Sequence, residues 1–261
     1  MTRPPVPQGR VWRPLHLVLG IAACLLVLYG LSVAEFLRQG PLIQADHRIA
    51  TSMHDAQTPA GLWIAAHVTA LGDWRVTSLV SVAACVAFWL LGRIALAIGL
   101  VIATTGQAMT VPLLKDLFDR SRPVFAHFRE ASPSFPSGHA AVSIALFGFV
   151  GYALWRAGVT GARRAFAAMA AVILSVGFTR IYLAEHYLSD VLNGYLVGGL
   201  WLMIGIVASE WLLSAPLPPT PARRRLAGLS VLPFILSAGL IVATYDKVLT
   251  TPGGADATDG G

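Results

Sequence analysis

Residues Lys115–His139 read KDLFDRSRPVFAHFREASPSFPSGH, the most polar run between two long apolar segments. The run carries Lys115, Arg120, Arg122, His127, Arg129 and His139, with Ser137-Gly138 immediately before the last histidine. Cations grouped beside a small-residue turn are what an anion site needs. Backbone N–H groups where such a turn opens a helix can point at phosphate oxygens. A basic loop alone is a weak signal. A second polar island, Thr179–Asp190 (TRIYLAEHYLSD), strengthens it by supplying Arg180, His186 and Asp190, again between apolar segments.

The apolar segments decide the fold class. The 261 residues are 56% hydrophobic and 12% charged, about half the charged fraction of a soluble domain. The chain reads as an all-α, polytopic membrane helix bundle. A helix needs about 20 apolar residues to cross the hydrocarbon core. Spans are expected at Leu15–Leu37, Val76–Leu91, Ile94–Leu114, His139–Trp155, Ala165–Leu183 and Val191–Leu213. Residues 1–213 thus form a six-span membrane domain with a short N-terminal tail. A Pro- and Arg-containing linker follows over 214–225. An extra span with an internal Pro233 is expected over 226–244, and a disordered tail from Tyr245. Arg38–Arg75, punctuated by Asp46, His47, His54, Asp55 and His67, reads as one or two interfacial helices. Gly106 and Pro112 are expected to bend the third span. Gly194, Gly198, Gly199 and Gly205 are expected to bring the sixth close to a neighbour. Cys24 and Cys85 lie in apolar runs, read as buried, and make no disulfide framework. Leu31 and its neighbours continue the apolar run past Cys24, so the N-terminus reads as a retained anchor and not as a processed signal.

Charge sets the orientation. With the N-terminus in the cytoplasm, one side holds Arg3, Arg10, Arg13, Arg93, Arg156, Arg163, Arg164 and Arg223–Arg225, with Glu210 the nearby acid. The other side holds both polar islands and nearly all the Asp and Glu. This is the positive-inside pattern. Both islands are therefore expected on the extracytoplasmic face of the cytoplasmic (inner) membrane, where they can form one site. The net charge of +6 does not indicate nucleic acid, because the arginines fall in short inter-helix loops and not on one basic face.

The islands hold a coherent inventory. If residues 115–122 are helical, Lys115 and Arg122 lie on one face two turns apart. His186 and Asp190 are an i,i+4 pair, so the carboxylate can reach one imidazole nitrogen, fix the tautomer and leave the other nitrogen free to attack. His139 could donate a proton. Lys115, Arg122 and Arg180 supply three cations, and the Ser137 and Gly138 N–H groups supply neutral donors. Such a set suits phosphoryl transfer.

Lys115 with Arg122-Pro123, then Pro136-Ser137-Gly138-His139, then Arg180, His186 and Asp190 resembles the three-part signature of the type 2 phosphatidic acid phosphatase superfamily. That superfamily includes lipid phosphatases, undecaprenyl-diphosphate phosphatases and vanadium haloperoxidases. The resemblance implies His186 as nucleophile through a phosphohistidine, His139 as general acid and Asp190 as the group orienting His186. It implies Lys115, Arg122, Arg180, Ser137 and Gly138 as the phosphate cradle. It also implies no metal, and no cofactor is expected. Thr179 stands where the third motif usually has Ser and keeps the hydroxyl. The seventh span and its linker lie outside the family's common core.

Blander readings stand beside these. Arg120 and Arg129 read as headgroup anchors, and His47, His54, His67 and His127 as interfacial or capping residues. Glu185, next to the nucleophile, reads either as a rim charge or as a substrate contact. His139, His186 and Asp190 could ligate a metal, but three nearby cations would repel a divalent ion. The expected activity is hydrolysis of a membrane lipid phosphate or diphosphate. Undecaprenyl diphosphate ranks first, then phosphatidate and phosphatidylglycerol phosphate. The alternatives are a phosphotransferase using the same intermediate and a transporter that only binds phosphate. A transporter more often places its site near the midplane on broken helices within repeats, and this sequence has no internal repeat.

Overall fold

The computed structural model describes residues 12–128, 130–212 and 221–245. The described residues are helical, with no strand. In chain order the helices are α1 (Trp12–Leu37), α2 (Pro41–Asp55), α3 (Pro59–Thr69), α4 (Trp74–Leu90), α5 (Ile94–Phe118), α6 (Gly138–Arg156), α7 (Ala162–Tyr182), α8 (Leu188–Leu212) and α9 (Pro221–Ala243). Six helical stretches are long and apolar enough to cross a membrane, in α1, α5, α6, α7, α8 and α9.

The second crossing differs from the expected one. At 17 residues α4 is about 26 Å long, short of a hydrocarbon core of about 30 Å. It passes as a span only together with Pro59–Gly72, to which it is joined at a 46° bend. The stretch read as wholly interfacial is thus α2 plus the first arm of a broken span. Local sequence builds the break. Thr58 caps α3 by accepting from the Gly61 N–H at 3.0 Å, with Pro59 in the first turn, and a 3₁₀ turn over Ala70–Gly72 follows α3. Asp73 then caps α4 by accepting from the Arg75 N–H, as short acidic side chains do at helix starts.

Helix α8 packs against α1, α5 and α6, with α7 behind α6, α3 against α7, and α9 along α4. Lipid tails are as apolar as leucine, so these contacts depend on close packing rather than on escape from water. The glycines of α8 permit it. A Cβ on Gly194 would lie 2.4 Å from the Ser137 carbonyl oxygen, and one on Gly198 2.1 Å from that of Ala141. Gly205 is equally tight against Gly99 of α5, whereas Gly199 has ordinary room beside Leu25. Gly106, read as a bend, is the seat of the Trp201 ring. Replacing Gly198 by leucine should therefore push α6 from α8 and cost about 1–3 kcal/mol by overpacking. The same change at Gly199 should be near neutral, and melting temperatures in detergent compare the two.

Several boundaries move. The stretch expected to be a linker lies partly outside the described residues, but its end is helical, because α9 opens at Pro221. Tyr245, expected to open a disordered tail, is buried. The remainder of that tail, the N-terminal tail through residue 11 and Arg129 lie outside the described residues. Cys24 and Cys85 are free thiols, and Cys24 is exposed rather than buried.

Candidate active site

The ends of four helices meet. Lys115 lies in the last turn of α5, Ser137 caps α6, Arg180 lies in the last turn of α7 and Asp190 in the first turn of α8. Antiparallel neighbours bring C-, N-, C- and N-termini to one end of the bundle, so the two polar islands form one cluster.

The link between Lys115 and Arg122 is not helical. Helix α5 stops at Phe118 because Asp119 adopts a left-handed conformation, φ 41°, which short polar side chains tolerate. Arg122 therefore reaches the site from an extended loop, not from the helix face shared with Lys115. Lys115 Nζ donates to the Pro133 carbonyl and, at 3.2 Å, to Ser132 Oγ. Arg122 donates to the carbonyls of Ser132 and Glu185, each at 2.9 Å. Both cations are tied to the loop that leads into α6.

His186 likewise precedes its helix, since α8 begins at Leu188. Helix α7 ends at Tyr182, and Ala184 turns the chain with φ 53°. The Glu185 and His186 N–H groups then bond back to the Arg180 carbonyl, at 3.0 and 3.2 Å. This reversal sets His186 beside Arg180. His186 Nδ1 faces Asp190 Oδ2 at 3.6 Å, longer than a hydrogen bond. Ser134 adds a hydroxyl to this pair, with Oγ 3.4 Å from Nδ1 and donating to Asp190 Oδ2. The expected direct carboxylate–imidazole bond is thus a longer polar contact supplemented by Ser134, because the two residues do not share a helix. Nε2 points the other way, 3.5 Å from an Arg122 guanidinium nitrogen. Burial, then the charges of Arg180, Arg122 and Lys115, hold the His186 pKa well below the ordinary histidine value. The ring is therefore neutral at pH 7, as a nucleophile must be.

Arg120 is the largest departure from expectation. It is not a headgroup anchor. It pairs with Asp190 Oδ1 at 2.6 Å and Asp46 Oδ2 at 2.8 Å, with its side chain 9% exposed and both carboxylates fully buried. It also donates to Ser189 Oγ at 2.7 Å and lies over the Tyr187 ring, 4.2 Å from its centroid. Asp190 accepts from the Tyr187 N–H at 2.9 Å as well. The order Asp46–Arg120–Asp190–His186 thus runs from α2 to the His186 imidazole. Asp46 lies on a helix expected to be interfacial, and no local spacing in the sequence connects it with Arg120.

Two glutamates complete the anion balance. Glu130 bridges Arg122 at 2.5 Å and Arg180 at 2.9 Å. Burial would raise its pKa, but Arg180, Arg122, His139 and His186 hold it well below the usual carboxylate range. Glu185 is fully buried and not a rim charge; its Oε1 accepts from the Phe128 N–H at 2.5 Å. Burial raises its pKa against the opposing pull of Arg180.

The Ser137-Gly138 turn also differs from expectation. The Ser137 N–H is committed to the Asp190 carbonyl at 3.0 Å. What the residue offers a ligand is its hydroxyl, buried without a partner. Gly138 opens α6, where first-turn N–H groups have no partner in the helix ladder. His139 Nε2 is also buried and unpartnered. Arg180 donates to Thr69 Oγ1 at 3.1 Å. Among the described residues no three His, Cys, Asp or Glu side chains converge as a metal-ligand set.

Comparison with known proteins agrees with the motifs. Residues 93–213 match the model of the PAP2 superfamily, so the resemblance read from the three motifs is borne out over that segment. Phosphatidylglycerophosphatase B of Bacillus subtilis (strain 168) is 34% identical over 90 residues, 33% of this chain and 44% of the relative. The match thus spans less than half the length of that relative. A crystal structure of a transmembrane PAP2 type phosphatidylglycerolphosphate phosphatase from Bacillus subtilis superposes with a TM-score of 0.68 at 21% identity. That superposition covers 74% of this chain and 98% of the other, and it establishes a shared fold.

Proposed function

We propose that this chain, whose residues 93–213 match the PAP2 superfamily, is a membrane phosphatase acting on a lipid phosphate or diphosphate. The observation that carries the reading is His186: a neutral imidazole with Nδ1 toward Asp190 and Ser134 and Nε2 toward the guanidiniums. Nε2 attacks phosphorus, and the bond to the leaving oxygen breaks. His139 gives that oxygen a proton. Water, deprotonated by the same His139, then cleaves the N–P bond and releases phosphate. Lys115, Arg122, Arg180, the Ser137 hydroxyl and the Gly138 N–H hold the non-bridging oxygens, where charge develops. Asp190 stabilises the positive charge that His186 gains. The carboxylate of Glu130 now sits between two cradle arginines, so substrate entry exchanges one anion for another.

A lipid substrate is supported by an open apolar groove of about 590 Å³ between α3 and α7. Gly61, Ile64, Ala65, Leu174 and Phe178 line it, and it reaches Thr179, the neighbour of Arg180. A tail can lie there while its phosphate reaches His186. The names of the two relatives rank phosphatidylglycerol phosphate first among candidates, ahead of undecaprenyl diphosphate, which the motifs alone place first.

Phosphate release by purified protein tests the activity. A panel of phosphatidylglycerol phosphate, undecaprenyl diphosphate, phosphatidate and a water-soluble phosphomonoester should be compared at equal detergent load. Lipids should be cleaved with higher kcat/KM than the soluble ester, and no release from any of them overturns the reading in favour of transport. Ser175→Trp, which fills the groove from an exposed position on α7, should lower kcat/KM for the lipids by roughly tenfold, as loss of a few buried methylenes would, and spare the soluble ester. Transfer of label to a second lipid in place of water would indicate a phosphotransferase.

The site is proposed to face outward. Arg93, Arg156, Arg163 and Arg164 lie at or beside the helix ends opposite the cluster, the asymmetry that the positive-inside rule requires. In a cysteine-free background with intact cells, a cysteine at Ala126 should react with an impermeant thiol reagent, and one at Gly161 should not. The reverse pattern places the site in the cytoplasmic leaflet.

A further inference from the structure

Helix α9 lies beyond residue 213, where the family match ends. It packs along α4, the second arm of the broken span, and the C-terminal end of α9 lies at the active-site end of the bundle, beside Asp73. Tyr245, just past α9, is 6% exposed. Its hydroxyl donates to Asp73 Oδ2 at 3.1 Å. Asp73 is the break residue itself, capping α4 and pairing with Arg75 at 3.0 Å. The Arg75 guanidinium lies 5.9 Å from the centroid of the Tyr245 ring.

Two walls of the site meet at this residue. The first is the hinge. Gly72, immediately before Asp73, packs so closely on His139 that a Cβ there would lie 2.9 Å from the imidazole Cδ2 and 3.1 Å from the His139 Cβ. The hinge backbone is therefore the surface against which the His139 ring is seated. The second wall is the loop between the motifs. The Tyr245 ring meets Phe128 edge-on, centroids 5.9 Å apart. Phe128 in turn lies under Arg180 and donates its N–H to Glu185. Tyr245, Phe128, Ala65, Ala70 and Leu183 form one buried apolar cluster.

We propose that the C-terminal span is a brace for the general acid. Tyr245, through its hydroxyl on Asp73 and its ring on Phe128, fixes the hinge that seats His139. Tyr245 is a positioning residue: it touches neither substrate nor a reacting atom. The proposal rests on the phosphatase reading above, in which His139 protonates the leaving oxygen.

kcat/KM reports the steps through cleavage of the P–O bond, before His139 acts as a base, and in those steps a group that positions a general acid matters only where the leaving oxygen needs a proton. An alkyl leaving group departs as a strongly basic alkoxide unless protonated, whereas a nitrophenolate departs unaided. Purified wild type, Tyr245→Phe and Tyr245→Ala are compared on a lipid ester, the better substrate of phosphatidylglycerol phosphate and phosphatidate, and on nitrophenyl phosphate, with His139→Ala marking full loss of the acid. Tyr245→Phe removes one hydrogen bond and should lower kcat/KM on the lipid ester roughly three- to tenfold, with less than about twofold change in kcat/KM on the aryl ester. KM should hold, and melting in detergent should match wild type. Tyr245→Ala should deepen the loss in the same direction. If Tyr245→Ala does not fold, Tyr245→Phe alone decides. Equal loss on both esters, or no loss on either, overturns the brace. Wild type that cleaves only undecaprenyl diphosphate overturns the brace, because a phosphate leaving group needs no added proton, whereas wild type that cleaves no member of the panel refutes the phosphatase reading itself, and the brace with it.

Discussion

His186→Ala is expected to abolish phosphate release, and Asp190→Asn to lower kcat by roughly ten-thousandfold, as when a triad loses the carboxylate that orients its histidine. The two differ because their roles differ. Without the His186 imidazole the proposed attacking group is missing, since His139 is assigned to the leaving oxygen and the surrounding cations are donors and not nucleophiles. Without the Asp190 charge the imidazole remains, but its Nδ1 side loses the carboxylate 3.6 Å away and its tautomer is no longer fixed. The pH dependence follows from the same geometry. His186 must be unprotonated to attack, and its pKa lies below the ordinary value of 6.5 through burial and neighbouring cations. Activity that depends on this group is therefore complete above pH 6.5 and is lost as pH falls through the lowered value. The acid limb of kcat/KM should sit below pH 6.5. Lys115→Met, which removes one of those cations, should move that limb upward, and a downward move would contradict the assignment.

Arg120→Ala is the second large expected effect, and it acts on stability as well as on rate. Arg120 neutralises two fully buried carboxylates, Asp46 and Asp190. Removing one partner of a buried ion pair strands the other charge and costs about 3–5 kcal/mol, and here two acids are stranded. The protein should melt far below wild type in detergent, and the fraction that stays folded should be poorly active because Asp190 has lost its anchor. Arg120→Lys keeps the charge but not the fork that spans both acids. It should recover part of the stability while kcat stays depressed. A melting temperature for Arg120→Ala within error of wild type would contradict the buried bridge.

The sequence made the spans and the clustered polar groups legible for physical reasons. Runs of about 20 apolar residues have few alternatives to crossing a bilayer, and polar islands at the ends of alternate spans must share a side. His186, Asp190, Arg180, Lys115 and Arg122 stood out because each sits in a short polar run flanked by apolar ones. What stayed hidden depends on contacts between distant parts of the chain. Asp46 and Arg120 are 74 residues apart, and no periodicity marks such a pair. Glu130 has an ordinary place in a mixed-charge loop until the fold sets it between Arg122 and Arg180. The Ser137 N–H looked free because the carbonyl it bonds, that of Asp190, belongs to the other island. The i,i+4 reading of His186 and Asp190 assumed a helix that starts two residues later, at Leu188. Local turns and long-range ion pairs, rather than the spans, were what the sequence concealed.

The central claim is a phosphoryl group carried on His186. Phosphohistidine survives alkali and is lost in acid, which separates it from phosphoserine and from acyl phosphates. Purified protein should be mixed with lipid phosphate labelled in the phosphoryl group and quenched in alkali within a single turnover. The account predicts label bound to the protein, released by acid, mapped to the peptide containing His186 and absent from His186→Ala. Turnover with no trapped label at any quench time, or label retained in His186→Ala, would contradict it.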